Sequence, residues 1–396
     1  MPRDPYLSFV QHALEQRLEK VRIESGAGAA HADSGPQAAD GSSVELGDQL
    51  FEQFGPDDFE WMTTVVEEAI TTLDNGKHQF GTTPAQYRLG DRARVVLLAD
   101  WGTGTPRAKH IAQLAGQKLG ERPDVDRHLI HLGDVYYCGL PSEYDARFLG
   151  DWPGLGMEGV TSWNLNGNHD MYSGGHGYFD VVTKGLCSQQ QGTSCFRLFN
   201  DHWQFIALDT AYADNDLYDT QLPWLTGWAA PDGSSTQRKT VLLSHHQLGS
   251  SRAQTSVGPG IREKTAQLRE SGRIHAWFWG HEHRCFIYEP YLGVACPVCL
   301  GNGGVPELLS HRLTLVGAFS WLQGTISTIK ALFRPRVPEP SIEYEPPKPD
   351  VDRDGLQWEK LGFVVIDLDG GRGGAAYIDE DGTAVPISAF GADQGP

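Results

Sequence analysis

Positive charge is what this sequence is shortest of. Its 396 residues carry 32 lysines and arginines against 51 aspartates and glutamates, a formal net charge of -19. Such an excess repels polyanions, so nucleic acid polymers and anionic membrane surfaces are excluded as default partners. A small phosphate ester is not excluded, because bound cations reverse the field inside a pocket. Cysteine is also sparse, at six residues. The opening stretch MPRDPYLSFVQHALEQRLEK carries charges throughout and lacks the apolar centre of a secretory signal. The expectation is a cytoplasmic chain with reduced thiols rather than a disulfide framework. Cys296 and Cys299 form a lone Cys-x-x-Cys, half of a zinc knuckle. With no second pair they read as small buried residues.

Long hydrophobic runs are missing too. Segment 313–333 is apolar with Lys330 its only charge, but Ser320, Gln323, Thr325, Ser327 and Thr328 interrupt it. A spanning helix needs about 20 apolar residues, so this stretch reads as a packed helix or pocket cover. With the Pro- and charge-rich loop 335–354 it forms an insertion near 305–356.

What is present divides the chain at about Arg92. Residues 1–91 read as a helical extension: Leu7, Val10, Leu14, Leu18 and Val21 recur at helical spacing, and a second periodic stretch runs over 46–73. Between them, 26–43 is small and polar and reads as a flexible linker. Over 92–396 short apolar runs alternate with helical stretches, the pattern of layered α/β or α+β folds. Strands are predicted at 95–99, 128–132, 162–166, 203–208, 241–244 and 275–279. A second set falls at 286–288, 363–368 and 375–378, and helices at 107–119, 222–228 and 261–270. The expected architecture is a four-layer sandwich, two mixed sheets face to face with helices outside.

The chemistry collects where strands end. VVLLAD ends in Asp100, and HLIHLGD in Asp134 with Tyr137 just after. TSWNLNGNHD delivers Asn168, His169 and Asp170; VLLSHH delivers His245 and His246; WFWGHEH delivers His281 and His283. One aspartate after a strand usually caps a helix. Five such endings are not explained by capping, and loops at the carboxyl ends of strands converge on one crevice. Imidazole and carboxylate together suit zinc, iron or manganese. The donors are too many for one catalytic ion, which takes about three protein ligands plus water, so two ions fit better. Gly133, Gly167 and Gly280 each precede a candidate and allow close backbone approach. His246 should point away from the metals if its strand continues. Tyr172 and His176, near a glycine-rich loop, are candidate substrate contacts, and Asp209 reads as a turn cap.

The series Asp100-Trp101-Gly102, Gly133-Asp134-x-x-Tyr137, Gly167-Asn168-His169-Asp170, Ser244-His245 and Gly280-His281-x-His283 resembles the calcineurin-like metallophosphoesterases, and within them is most similar to the purple acid phosphatase branch. Gly102 stands where most of the superfamily has histidine, and Tyr137 looks like the replacement, a phenolate donor suited to ferric iron. The resemblance implies one metal held by Asp100, Asp134, Tyr137 and His283, with Fe(III) there. It implies a second, Fe(II), Zn or Mn, held by Asn168, His245 and His281, with Asp134 bridging. His169 would assist the leaving group, with Asp170 orienting it, during in-line attack by metal-bound hydroxide on a phosphate monoester. The branch usually carries another histidine downstream of Ser244-His245; here that stretch reads QLGSSRAQTSVG, leaving Arg252 or Gln254 as phosphate contacts. Two rival functions stay open: a phosphodiesterase on nucleotide or lipid head-group substrates, and a non-catalytic binding or regulatory protein on the same fold.

Overall fold

Strands whose apolar runs are continuous need cover on both faces, and that requirement shapes the fold. The computed structural model describes residues 76–218, 220–229, 238–251, 258–305, 338–347 and 358–391. The expected N-terminal helices and linker, the cover segment 313–333, Arg252 and Gln254 lie outside the described residues. In chain order the strands are β1 (Ala85–Arg88), β2 (Arg92–Leu98), β3 (Asp126–His131), β4 (Val160–Asn164), β5 (Phe196–Phe199), β6 (Trp203–Leu208) and β7 (Lys239–Ser244). They continue with β8 (Ile274–Trp279), β9 (Cys285–Tyr288), β10 (Cys296–Leu300), β11 (Ile342–Tyr344), β12 (Gly362–Asp369), β13 (Arg372–Asp379) and β14 (Ala384–Pro386). The helices used below are α1 (Pro106–Gly120), α2 (Pro141–Arg147), α3 (Asn168–Tyr172), α4 (Gln221–Ala229) and α5 (Pro259–Glu270).

Two mixed sheets result. One has eight strands in the order β1-β5-β6-β7-β8-β10-β9-β11, the other six in the order β14-β13-β12-β2-β3-β4. Along β2 the side chains alternate between two cores. Val95 and Leu97 join Phe205, Leu243 and Phe278 between the sheets, whereas Val96 and Leu98 join Ile111, Ala115 and Leu119 of α1. A third cluster places Leu242, Trp277 and Trp279 against Ile261 of α5. The layers are therefore helix, sheet, sheet, helix, as expected. Helix α1 starts where Thr105 accepts from the Ala108 N–H and Pro106 fills the first turn.

The late strands do not all complete one sheet. Strand β12 pairs antiparallel with β2, bringing β13 and β14 with it, while β9 to β11 extend the eight-stranded sheet beyond β8. Strand β1, ahead of Arg92, already pairs parallel with β5. All six cysteines are buried and free. Cys296 faces the inter-sheet core and Cys299 the outer one, as alternation along β10 requires, so the pair does not converge on a zinc knuckle. Among the described residues no helix is long and apolar enough to cross a membrane.

Candidate metal centre

Parallel pairing brings the motif ends together. Strands β2, β3 and β4 run parallel as neighbours, and so do β6, β7 and β8. Asp100, Asp134, Asn168, His245 and His281 follow the carboxyl ends of β2, β3, β4, β7 and β8. The loops are knit to each other: Asp100 N–H donates to Gly133 O at 3.0 Å and Gly280 N–H to His245 O at 3.0 Å. The fit leaves no room for side chains at two glycines. A Cβ on Gly167 would lie 2.0 Å from Asp134 Oδ1, and one on Gly280 would lie 2.5 Å from Asp100 Oδ2. Asp100, Asp134 and His281 themselves adopt positive φ, at 53°, 75° and 68°. Each such residue costs about 1–3 kcal/mol, and such outliers cluster at functional sites.

Two groups of donors form. In the first, the Tyr136 hydroxyl lies 3.1 Å from Asp100 Oδ1, 3.3 Å from Asp134 Oδ2 and 3.0 Å from His283 Nε2, with His283 Nε2 3.7 Å from Asp100 Oδ1. In the second, His245 Nε2 lies 3.0 Å from Asn168 Oδ1 and 3.4 Å from Asp134 Oδ2. The same oxygen of Asp134 thus faces both groups. The His281 ring stands 5.2 Å from that of His245. The other carboxylate oxygens are taken by backbone: Asp134 Oδ1 accepts from His169 N–H at 2.9 Å, and Asp100 Oδ2 from His281 N–H at 2.8 Å.

The donors fit a pair of cations. Ligands about 2.1 Å from one ion stand roughly 3.0–3.4 Å apart, close to the separations found. Asp100 and Asp134 are fully buried, and among the described residues neither has a lysine or arginine partner. Buried carboxylates are paired or bind metal, and the pairing here is with histidines that are themselves metal donors. Burial pushes the Asp100 carboxyl well above the usual range. For Asp134 burial is outweighed by His245, His169 and His281, which hold it well below. His245 reciprocates: burial acts to lower its pKa, but the Asp134 charge raises it to about 9. Burial and then the two carboxylates hold Tyr136 well above the usual phenol range, so a phenolate there requires a cation. His245 Nδ1 faces Leu132 O at 3.0 Å, which leaves Nε2 to the centre.

Three sequence expectations change. The phenol in the cluster belongs to Tyr136, not Tyr137. Helix α2 claims Tyr137: Arg147 lies over its ring at 4.5 Å, and its N–H donates to Glu143. Asp170 does not orient His169. It accepts the N–H groups of Asp134 at 2.8 Å, Gly167 at 2.6 Å and Val135 at 3.2 Å, and the Tyr144 hydroxyl, clamping two motif loops together. His169 is held instead through Nδ1 by Tyr137 O at 2.7 Å, between the rings of Tyr136 at 4.4 Å and Tyr172 at 4.8 Å. His246 does not point away. Strand β7 ends at Ser244, so alternation lapses, and the His246 ring lies 4.6 Å from that of His281 with Nδ1 3.0 Å from Thr210 Oγ1. His176 meets Asp180 at 3.8 Å and the His78 ring at 5.5 Å. Asp209 accepts from Ala211 and Tyr212 N–H, a turn cap.

One contributor was missed. Gly301–Gly304 run beneath the first motif, where a Cβ on Gly303 would lie 2.3 Å from Ala99 O. The run GNGG directly after a strand was the available signal.

The calcineurin-like phosphoesterase family model matches residues 93–285, the span that holds both donor groups. Among solved structures, a purple acid phosphatase from yellow lupin (Lupinus luteus) seeds is similar at 16% identity and TM-score 0.47, over 74% of this chain and 53% of that one. The chain therefore spans about half the length of that protein. GAP50, the anchor in the inner membrane complex of Plasmodium, is similar at 13% identity and TM-score 0.47, over 75% of this chain and 88% of that one. A dimetal phosphatase from Danio rerio is similar at 12% identity and TM-score 0.46, over 77% and 99%. No curated protein sequence matches the chain.

Proposed function

We propose that the chain is a dinuclear-metal phosphoesterase that hydrolyses small phosphate monoesters. The observation that carries this reading is the sharing of Asp134 Oδ2 between two donor groups, at 3.3 Å from Tyr136 and 3.4 Å from His245. Asp100, Asp134, Tyr136 and His283 would hold the first cation, and Asn168, Asp134, His245 and His281 the second. Two such cations supply Lewis acidity and a nucleophile drawn from water at neutral pH. The chain's own part is to place and to protonate. His169, its Nδ1 engaged by the Tyr137 carbonyl, has Nε2 left to hold a proton for the departing ester oxygen. The flanking rings of Tyr136 and Tyr172 restrict its rotation.

The test is elemental analysis of the full chain with turnover of para-nitrophenyl phosphate against its bis ester. Two ions per chain and faster monoester cleavage support the reading. Faster diester cleavage would replace it with a phosphodiesterase. Fewer than one ion, with no turnover after reconstitution with iron, zinc or manganese, would leave a non-catalytic binding protein.

A further inference from the structure

From the geometry around Asn168 we infer that Tyr172 is a positioning residue: it fixes the Asn168 amide so that the oxygen, and not the nitrogen, faces the second cation position. The inference rests on the dinuclear reading above. Asn168 and Tyr172 open and close the single turn of α3, and residues four apart on a helix are side-chain neighbours. Asn168 Nδ2 donates to the Tyr172 hydroxyl at 3.0 Å, while Asn168 Oδ1 lies 3.0 Å from His245 Nε2. A carboxamide is nearly symmetric in shape but not in chemistry. One end accepts and the other donates, and only the oxygen can ligate a cation. Turned over, Asn168 would aim two N–H groups at the metal.

The phenolic oxygen accepts from Nδ2 on the side away from His245, and with His245 Nε2 facing Oδ1 this contact holds the amide in the ligating orientation. The same ring lies 4.8 Å from His169, so one side chain steadies both a ligand and the proposed proton donor. This differs from a substrate contact, the role suggested for Tyr172 by the sequence.

The experiment uses the full chain, stripped of metal and titrated with manganese(II), with free ion read by electron paramagnetic resonance. Tyr172→Phe keeps the ring and removes the acceptor. The expected result is two ions bound by wild type, and in Tyr172→Phe a second ion weakened about 10–100-fold with the first unchanged. In an Asn168→Asp background, where either oxygen can face the ion, the Tyr172→Phe change should alter affinity by less than about twofold. Unchanged binding of both ions in Tyr172→Phe overturns the inference, and a raised KM alongside would make Tyr172 a substrate contact. An equal loss of affinity in the Asn168→Asp background also overturns it, since the tyrosine would then act other than through the amide. Fewer than two ions on wild type overturns the dinuclear reading itself, and this inference with it.

Discussion

The two donor groups differ in charge and in how they are held. The first is anionic and oxygen-rich: two buried carboxylates, a phenol and one imidazole, with Asp100 and Asp134 steadied by backbone N–H groups of opposing loops. The second gathers imidazoles and an amide around the same Asp134; Leu132 O steadies His245, but Asn168 is held by a side chain, Tyr172. Hard oxygen donors favour a highly charged ion, and neutral nitrogen donors a borderline divalent one. Backbone partners cannot be lost by substitution, whereas side-chain partners can. The first position is therefore expected to be the tighter and the more exacting, and the second the one that a single outer residue can loosen.

The largest effect falls where the groups meet. Asp134→Asn removes the shared charge, and because two bound metals would contribute several kcal/mol turnover should fall by at least about 10³-fold. Metal analysis should show both ions weakened together. Loss of only one would break the claim that Asp134 belongs to both groups. Next comes His169→Ala, expected to lower kcat by about 10²–10³-fold with both ions retained. If metal content falls instead, His169 acts by supporting the site and not by moving a proton. Smaller still is the tyrosine pair. Tyr136→Phe should weaken the first ion about 10–100-fold and, if that ion is ferric, abolish its visible charge-transfer band. Tyr137→Phe should leave both unchanged. The opposite result would restore the spacing-based assignment.

That pair also marks the limit of what the sequence makes legible. The ends of β2, β3, β7 and β8 were readable because a continuous apolar run stopping at Asp or His is uncommon and physically specific. The runs alone gave layered α/β or α+β; the four-layer arrangement was expected only alongside the family resemblance. Spacing could not say which of two adjacent tyrosines meets the buried carboxylates, since Arg147 and Glu143 of α2 engage the other. Nor could it show that Asp170 accepts backbone N–H groups from a loop 36 residues away. Strands β1 and β5 escaped notice because AQYR and FRLF each include polar or charged residues and pair at a sheet edge.

A histidine outside both groups sharpens the contrast. His131 and His245 are both fully buried, and each presents Nδ1 to a neighbouring oxygen, Asn164 Oδ1 at 3.4 Å and Leu132 O at 3.0 Å. Yet burial pushes His131 down to about 3, while beside Asp134 the burial effect on His245 is overcome and it rises to about 9. Folded His131 thus stays neutral where an unfolded chain takes up a proton below about pH 6.5. Between those two values the unfolded state binds more protons, so stability is complete above about pH 6.5 and declines as pH falls. The slope from this one group reaches about 1.4 kcal/mol per pH unit. His131→Phe, among Trp101, Phe148 and Trp152, should lose that part of the decline. Urea midpoints of the two proteins between pH 7.5 and 4.5 would then converge toward the acid side. Parallel curves would mean that His131 is protonated in the folded chain too, and that a nearby carboxylate is not what separates the two imidazoles.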